Sequence, residues 1–148
     1  MKKSLILDTY PLSEKQPGCL RTPSGQSFQG VTLEAVLEGK VMMSDLRVTA
    51  EALELQAEIA LEANRPQLAE NFRRAAELAE VPEETILQIY NGLRPGRATQ
   101  GELEILADSL ERDFSAHRCA QFVREAAAAY FKRSGVEEKV TPSENPLK

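Results

Sequence analysis

Apolar residues recur at helical spacing on both sides of Val81-Pro82, and that pattern constrains the fold more than any other feature of the chain. Phe72, Ala75, Ala76 and Ala79 keep the period before the interruption. Ile86, Tyr90 and Leu93 resume it until Gly92 and Pro95 close the segment. Residues 71–97 therefore read as two helices around a tight turn. Such a unit serves either as a DNA-binding helix-turn-helix or as the packing core of a helical subunit in a larger enzyme.

The flanking sequence continues in the same idiom. Thr32 is placed to cap a short helix over 33–37, with Leu33, Val36 and Leu37 on one face and Gly39 as its stop. Residues 41–48 read as a connector with one helical turn at Ser44-Asp45. Thr49 caps a helix to about Asn64, with Glu51 in the first turn, where the helix dipole favours an acid. That helix carries two apolar faces: Leu53, Ala57, Ala60 and Leu61 on one, Leu55 and Ile59 on the other. The second face requires a further surface, internal or from another chain.

Pro66 suits the first turn of the next helix, whose stripe of Leu68, Phe72 and alanines permits close approach. Glu83 and Glu84 open the helix after Val81-Pro82. Thr99 and Glu102 form a capping box for another, with Leu103, Leu106, Ala107, Leu110 and Phe114 as its stripe. Cys119, Val123, Ala126 and Tyr130 would fall half a turn out of phase on an unbroken helix, so a break is expected near Ser115. The last helix runs to about Arg133.

The expected fold is all-α: one helical domain over 32–134 with about five to six helices, an irregular, extended N-terminal arm over 1–31 and a loose tail over 135–148. The arm is rich in Pro and Gly and is either a flexible end or a segment draped over a partner. Composition agrees with helices: 42% of residues are hydrophobic, only 5% aromatic, and there is no Trp.

The net charge of -5 counts against a polyanion binder. Leu5-Ile6-Leu7 is cut short by Asp8 and is too brief for a signal peptide, and no run approaches a membrane span, so a cytoplasmic protein is expected. Cys19 and Cys119 are the only cysteines, lie far apart and form no C-x-x-C unit. His117 is the only histidine and reads as a surface helix residue, which leaves no zinc set. Nucleotide, calcium and nucleophile-elbow motifs are all absent. No catalytic, cofactor-binding or metal residue is expected.

Arg73, Arg74, Arg94 and Arg97 cluster around the central turn, either pairing with nearby glutamates or contacting a partner. With Leu55, Ile59 and Tyr90 they are the candidate subunit-interface residues. The DNA-binding alternative fares worse: over residues 66–112 five arginines face nine acids, and Glu83 and Glu84 stand where a recognition helix would meet phosphates.

The run L-A-x-N-F-x-R-A-A-E-L-x-x-V-P-x-E-x-I-L-x-I-Y-N-x-L-R-P-x-R, residues 68–97, resembles the small (gamma) subunit of adenosylcobalamin-dependent propanediol (diol) and glycerol dehydratases. Asp8-Thr9-Tyr10-Pro11-Leu12 is similar to that family's start, Thr32-Leu33-Glu34 with Val36-Leu37 to its first helix, and Phe122-Val123-Arg124-Glu125-Ala126-Ala127 to its close. The resemblance implies a helical accessory subunit of an (αβγ)₂ heterohexamer, without catalytic residues of its own. The large (alpha) and medium (beta) subunits would hold adenosylcobalamin and a monovalent cation such as potassium, and the complex would dehydrate 1,2-diols or glycerol to aldehydes. It also implies a place in the cytoplasm or, through partners, in a bacterial microcompartment. Only residues 1–7 precede the matching start, short of the amphipathic extension of some relatives. Gly96 in L-R-P-x-R is expected to loosen that corner.

Overall fold

The computed structural model describes residues 7–134. Residues 1–6 of the expected arm and the whole expected tail over 135–148 lie outside the described residues. Within the described residues the chain is all-α, with helices α1 (Leu12–Lys15), α2 (Leu33–Leu37), α3 (Ala50–Glu62), α4 (Pro66–Ala79), α5 (Glu83–Gly92), α6 (Gln100–Phe114) and α7 (His117–Ser134). It divides into two compact units, Met1–Glu80 and Val81–Lys148, so the central motif of the sequence supplies the end of one and the start of the other.

In the first unit α3 and α4 pack as an antiparallel-type neighbour pair joined by a short loop. Ala57, Ala60 and Ala69 form the contact with Phe72 against them; residues this small let two helix backbones approach closely. Asn64 at φ 58° turns the chain between them. The Arg65 N–H donates to Ala60 O at 2.9 Å and the Asn64 N–H to Leu61 O at 3.0 Å, closing α3 with the paired bonds of a Schellman cap.

Residues 7–31, expected to combine turns with extended backbone, are built largely from turns. Short 3₁₀ turns occupy Leu7–Thr9, Pro17–Cys19 and Phe28–Gly30, and α1 buries Leu12. Pro23 and Gly25 shape a reversal that brings Arg21 and Ser27 into an isolated antiparallel bridge. The prolines and glycines that mark irregular backbone in the sequence are thus the residues of consecutive tight turns.

The reversal is fastened to the 40–46 connector. Asp45, only 6% exposed, accepts from the Met42 N–H at 2.9 Å and the Ser24 N–H at 3.3 Å. The Gln26 side-chain amide donates to Lys40 O at 2.9 Å. The Ser24 hydroxyl, followed by the Met42 N–H, holds the Asp45 carboxyl below its ordinary pKa. The single turn anticipated at Ser44-Asp45 is a 3₁₀ turn over Met43–Leu46.

The second unit is centred on α6 and α7, with α5 laid against α6. Leu103, Ala107 and Leu110 of α6 and Cys119, Ala120, Val123 and Ala127 of α7 are buried there, with Ile89 of α5, Val81 before it and Ala116 at the corner. The break falls where the phase shift placed it, at Ser115, which adopts φ 54°. The buried face of α7 includes Ala120 and Ala127 instead of Ala126, a rotation of one position from the predicted stripe. The predicted capping box of α6 is present: Glu102 N–H donates to Thr99 Oγ1 at 3.3 Å and Thr99 N–H to Glu102 Oε2 at 2.7 Å. Gly92 lies so close to α6 that an added Cβ would sit 3.2 Å from Leu106 Cδ1, which explains a glycine in the last turn of α5.

Candidate subunit interface

Each sequence-derived candidate has a defined place. Leu55 is half-buried and Ile59 only 7% exposed, so at Ile59 the second apolar face of α3 is covered within this chain, the internal one of the two alternatives. Leu61, grouped with the inner face, is exposed instead. The apolar residues of α3 surround most of the helix, so periodicity fixes the helix but not which stripe faces inward.

The two arginines of α4 are engaged within their own unit. Arg73 donates from Nη1 to Glu70 Oε1 at 2.7 Å and places Nε 3.9 Å from Glu54 Oε2 on α3. Arg74 is bonded to Asn71 one turn back. This is the helix-pairing arrangement, worth little stability for each exposed pair.

Tyr90, Arg94 and Arg97 are exposed in the second unit. Tyr90 is 66% exposed and shares the outer side of α5 with Leu87, three residues earlier. Arg97 lines an open groove of about 430 Å³ between α5 and α6, with Gln88, Asn91, Glu102, Ile105 and Leu106 among its walls. Ile105 is 69% exposed there. Gly96 takes φ 71° beside Arg97, a conformation glycine adopts without strain, so the corner expected to be loose is a defined turn.

Chemistry-bearing side chains are tied up by one another. Arg124 of α7 donates from Nη2 to Asp108 at 2.6 Å and to Glu111 at 2.7 Å, and its Nε lies 3.4 Å from Glu104. Glu104, Asp108 and Glu111 stand at i, i+4 and i+7 along α6, so a single guanidinium clamps one helix face to its neighbour. The Arg124 hydrogen bond, then that of His117, depresses the Glu111 pKa, which fixes that carboxylate in its charged form instead of poising it for proton transfer. His117 is exposed, with Nδ1 3.4 Å from Glu111 Oε1. Both cysteines are free, Cys19 exposed and Cys119 buried. Among the described residues no group of three His, Cys, Asp or Glu side chains is placed to hold a metal, and no helix is long and apolar enough to cross a membrane.

A dense run of exposed large hydrophobics lies outside the sequence candidates. Residues 28–48 expose Phe28, Leu33, Val36, Leu37, Met42, Met43, Leu46 and Val48 in near succession. Leu37 is 78% and Met43 80% exposed, and α2 buries none of its residues. The signal in the sequence is the length of α2: five residues give one apolar face with no second turn to press it onto a core. The Met42-Met43 pair that follows offers apolar bulk without a periodic partner.

Comparison with known proteins adds the family context. The family model described as dehydratase small subunit matches residues 5–137. The chain is 52% identical over 124 residues to the propanediol dehydratase small subunit of Citrobacter freundii, covering 84% of this chain and 72% of that protein. It is 49% identical over 131 residues to the propanediol dehydratase small subunit of Salmonella typhimurium, covering 88% and 76% respectively.

Proposed function

The chain belongs to the dehydratase small-subunit family, and from that premise we propose that it is the non-catalytic small subunit of a B12-dependent dehydratase acting on propane-1,2-diol or glycerol. Its work is assembly: it joins large and medium subunits in an (αβγ)₂ heterohexamer that converts the diol to an aldehyde. The enzyme works in the cytoplasm, or inside a bacterial microcompartment that the complex enters through its partners.

Adenosylcobalamin and the monovalent cation belong to the partner subunits in this reading. Among the described residues the α5–α6 groove is open and has no histidine in its walls, so it offers no imidazole to a metal-centred cofactor. What the cofactor supplies is radical chemistry, and exclusion of water around it is the task of the subunits that enclose it.

The observation that carries the proposal is the pairing of two facts: the matched sequence spans all of the described residues, and Glu104, Asp108 and Glu111 of α6 are clamped by Arg124 in structural contacts. No observation favours the DNA-binding reading; Glu83 and Glu84 are exposed at the start of α5. The test is co-expression with cognate large and medium subunits. A single stable complex containing all three chains, read by light scattering after gel filtration, is expected. Elution of this chain alone, with the larger subunits associated without it, contradicts the proposal.

A further inference from the structure

We infer that the 33–46 segment of the first unit, a preformed apolar strap, is the surface by which this chain docks onto a larger dehydratase subunit. The inference rests on the small-subunit reading above and specifies which side of the chain meets the partner.

The first observation is energetic. Leu33, Val36 and Leu37 lie on one face of α2, and Met42, Met43 and Leu46 follow at once; all six are exposed. Each is between 42% and 80% exposed, and six such residues can supply the apolar centre of the roughly 800 Å² that one partner contributes to a specific interface of standard size. A monomer rarely leaves so much apolar surface on one short stretch of chain.

The second observation is that the strap is held in shape without being buried. The Thr32 hydroxyl oxygen accepts from the Ala35 N–H at 3.2 Å at the start of α2. At its end Gly39, at φ 71°, lets the Lys40 N–H donate to Ala35 O at 2.8 Å. Asp45 and Gln26 then pin the following connector, as described above. A helix of five residues does not persist through its own hydrogen bonds, so these caps and clasps are what present its apolar side. Preorganisation of this kind lowers the entropic cost of docking.

The third observation is charge. Of the strap's four charged residues, Glu34 is exposed beside its partner Thr32, Glu38 and Lys40 are paired with each other at 2.6 Å, and Asp45 is buried and satisfied, so the net charge it presents is small. Depletion of charge at the centre with Leu and Met exposed fits an apolar depression on a protein partner and not a polyanion. The occupant is the larger subunit, because a small subunit of a dehydratase requires a larger chain to complete the enzyme.

Methionine footprinting on the native proteins tests this without any variant. Hydrogen peroxide transfers one oxygen atom to the thioether sulfur, giving the sulfoxide and water. In the free chain Met42 and Met43 should oxidise readily; in the complex with the larger subunits the rate should fall at least tenfold. In parallel, a Leu37→Ser/Met43→Ser variant, altered only at exposed positions, should retain its helical circular dichroism and bind the larger subunits at least tenfold more weakly. An Ala128→Ser variant, at an exposed position of α7 that is not an interface candidate, serves as the comparison and should bind as the wild type does.

Equal oxidation rates in the free chain and the complex overturn the inference, as does unimpaired binding by the double variant. Protection that appears in the free chain on raising its concentration, with a dimer in sedimentation, assigns the strap to a second copy and overturns it too. If the wild-type chain forms no complex at all, the small-subunit reading fails and takes the strap with it. A wild-type complex with unprotected methionines defeats only the strap.

Discussion

At Asp45 one carboxylate accepts from two backbone N–H groups on different segments, Met42 and Ser24, and its pKa is depressed in the fold. A carboxyl group with a lower pKa folded than unfolded contributes stability that is complete above its unfolded value, about 3.9. That contribution is lost as pH falls through the depressed folded value. Glu34, Glu102 and Glu111 are shifted in the same direction, so the chain as a whole should weaken in acid. Asp45→Asn keeps the shape and removes the charge. It should lower the urea midpoint at neutral pH, and the gap from the wild type should narrow as pH falls below about 4. Urea titrations across pH check this; a gap that stays constant into acid would mean the clasp does not depend on the ionised carboxylate.

The helices were legible in the sequence because their boundaries are written in single residues. Thr32, Thr49 and Thr99 accept the N-terminal hydrogen bonds expected of them, Gly39 closes α2, and Ser115 breaks the last pair where the apolar phase slips. Faces were less legible. Ile59 is buried and Leu61 exposed on α3, and α7 turns Ala127 inward, because alanine-rich helices have broad apolar sectors and packing chooses among them. Arg124 escaped notice as a candidate, although three acids at i, i+4 and i+7 on the preceding helix could have pointed to a facing cation. The contrast between Leu110 and Ile105 on α6 puts a number on the faces: the first is fully buried, the second 69% exposed. Leu110→Ala should cost about 2–5 kcal/mol and Ile105→Ser within about 0.5 kcal/mol, measured by denaturant unfolding. Comparable losses at both positions would contradict the packing of the second unit.

For the molecule as a whole, the family was readable from the central motif together with the matches at residues 8–12, 32–37 and 122–127, and the proposed docking surface was not. The motif of residues 68–97 holds much of its specificity in helix-forming and turn residues, which identify relatives without indicating what faces outward. The strap of residues 33–46 shows itself only when burial is known, since Leu33, Val36 and Leu37 read equally well as a core stripe. The central claim is that this chain contributes assembly and no chemistry. Aldehyde production from propane-1,2-diol, with adenosylcobalamin and potassium supplied, tests it when the larger subunits are assayed alone, this chain alone, and the three together. The account predicts turnover only with all three present. Full turnover by the larger subunits in its absence, or any turnover by this chain alone, would contradict it.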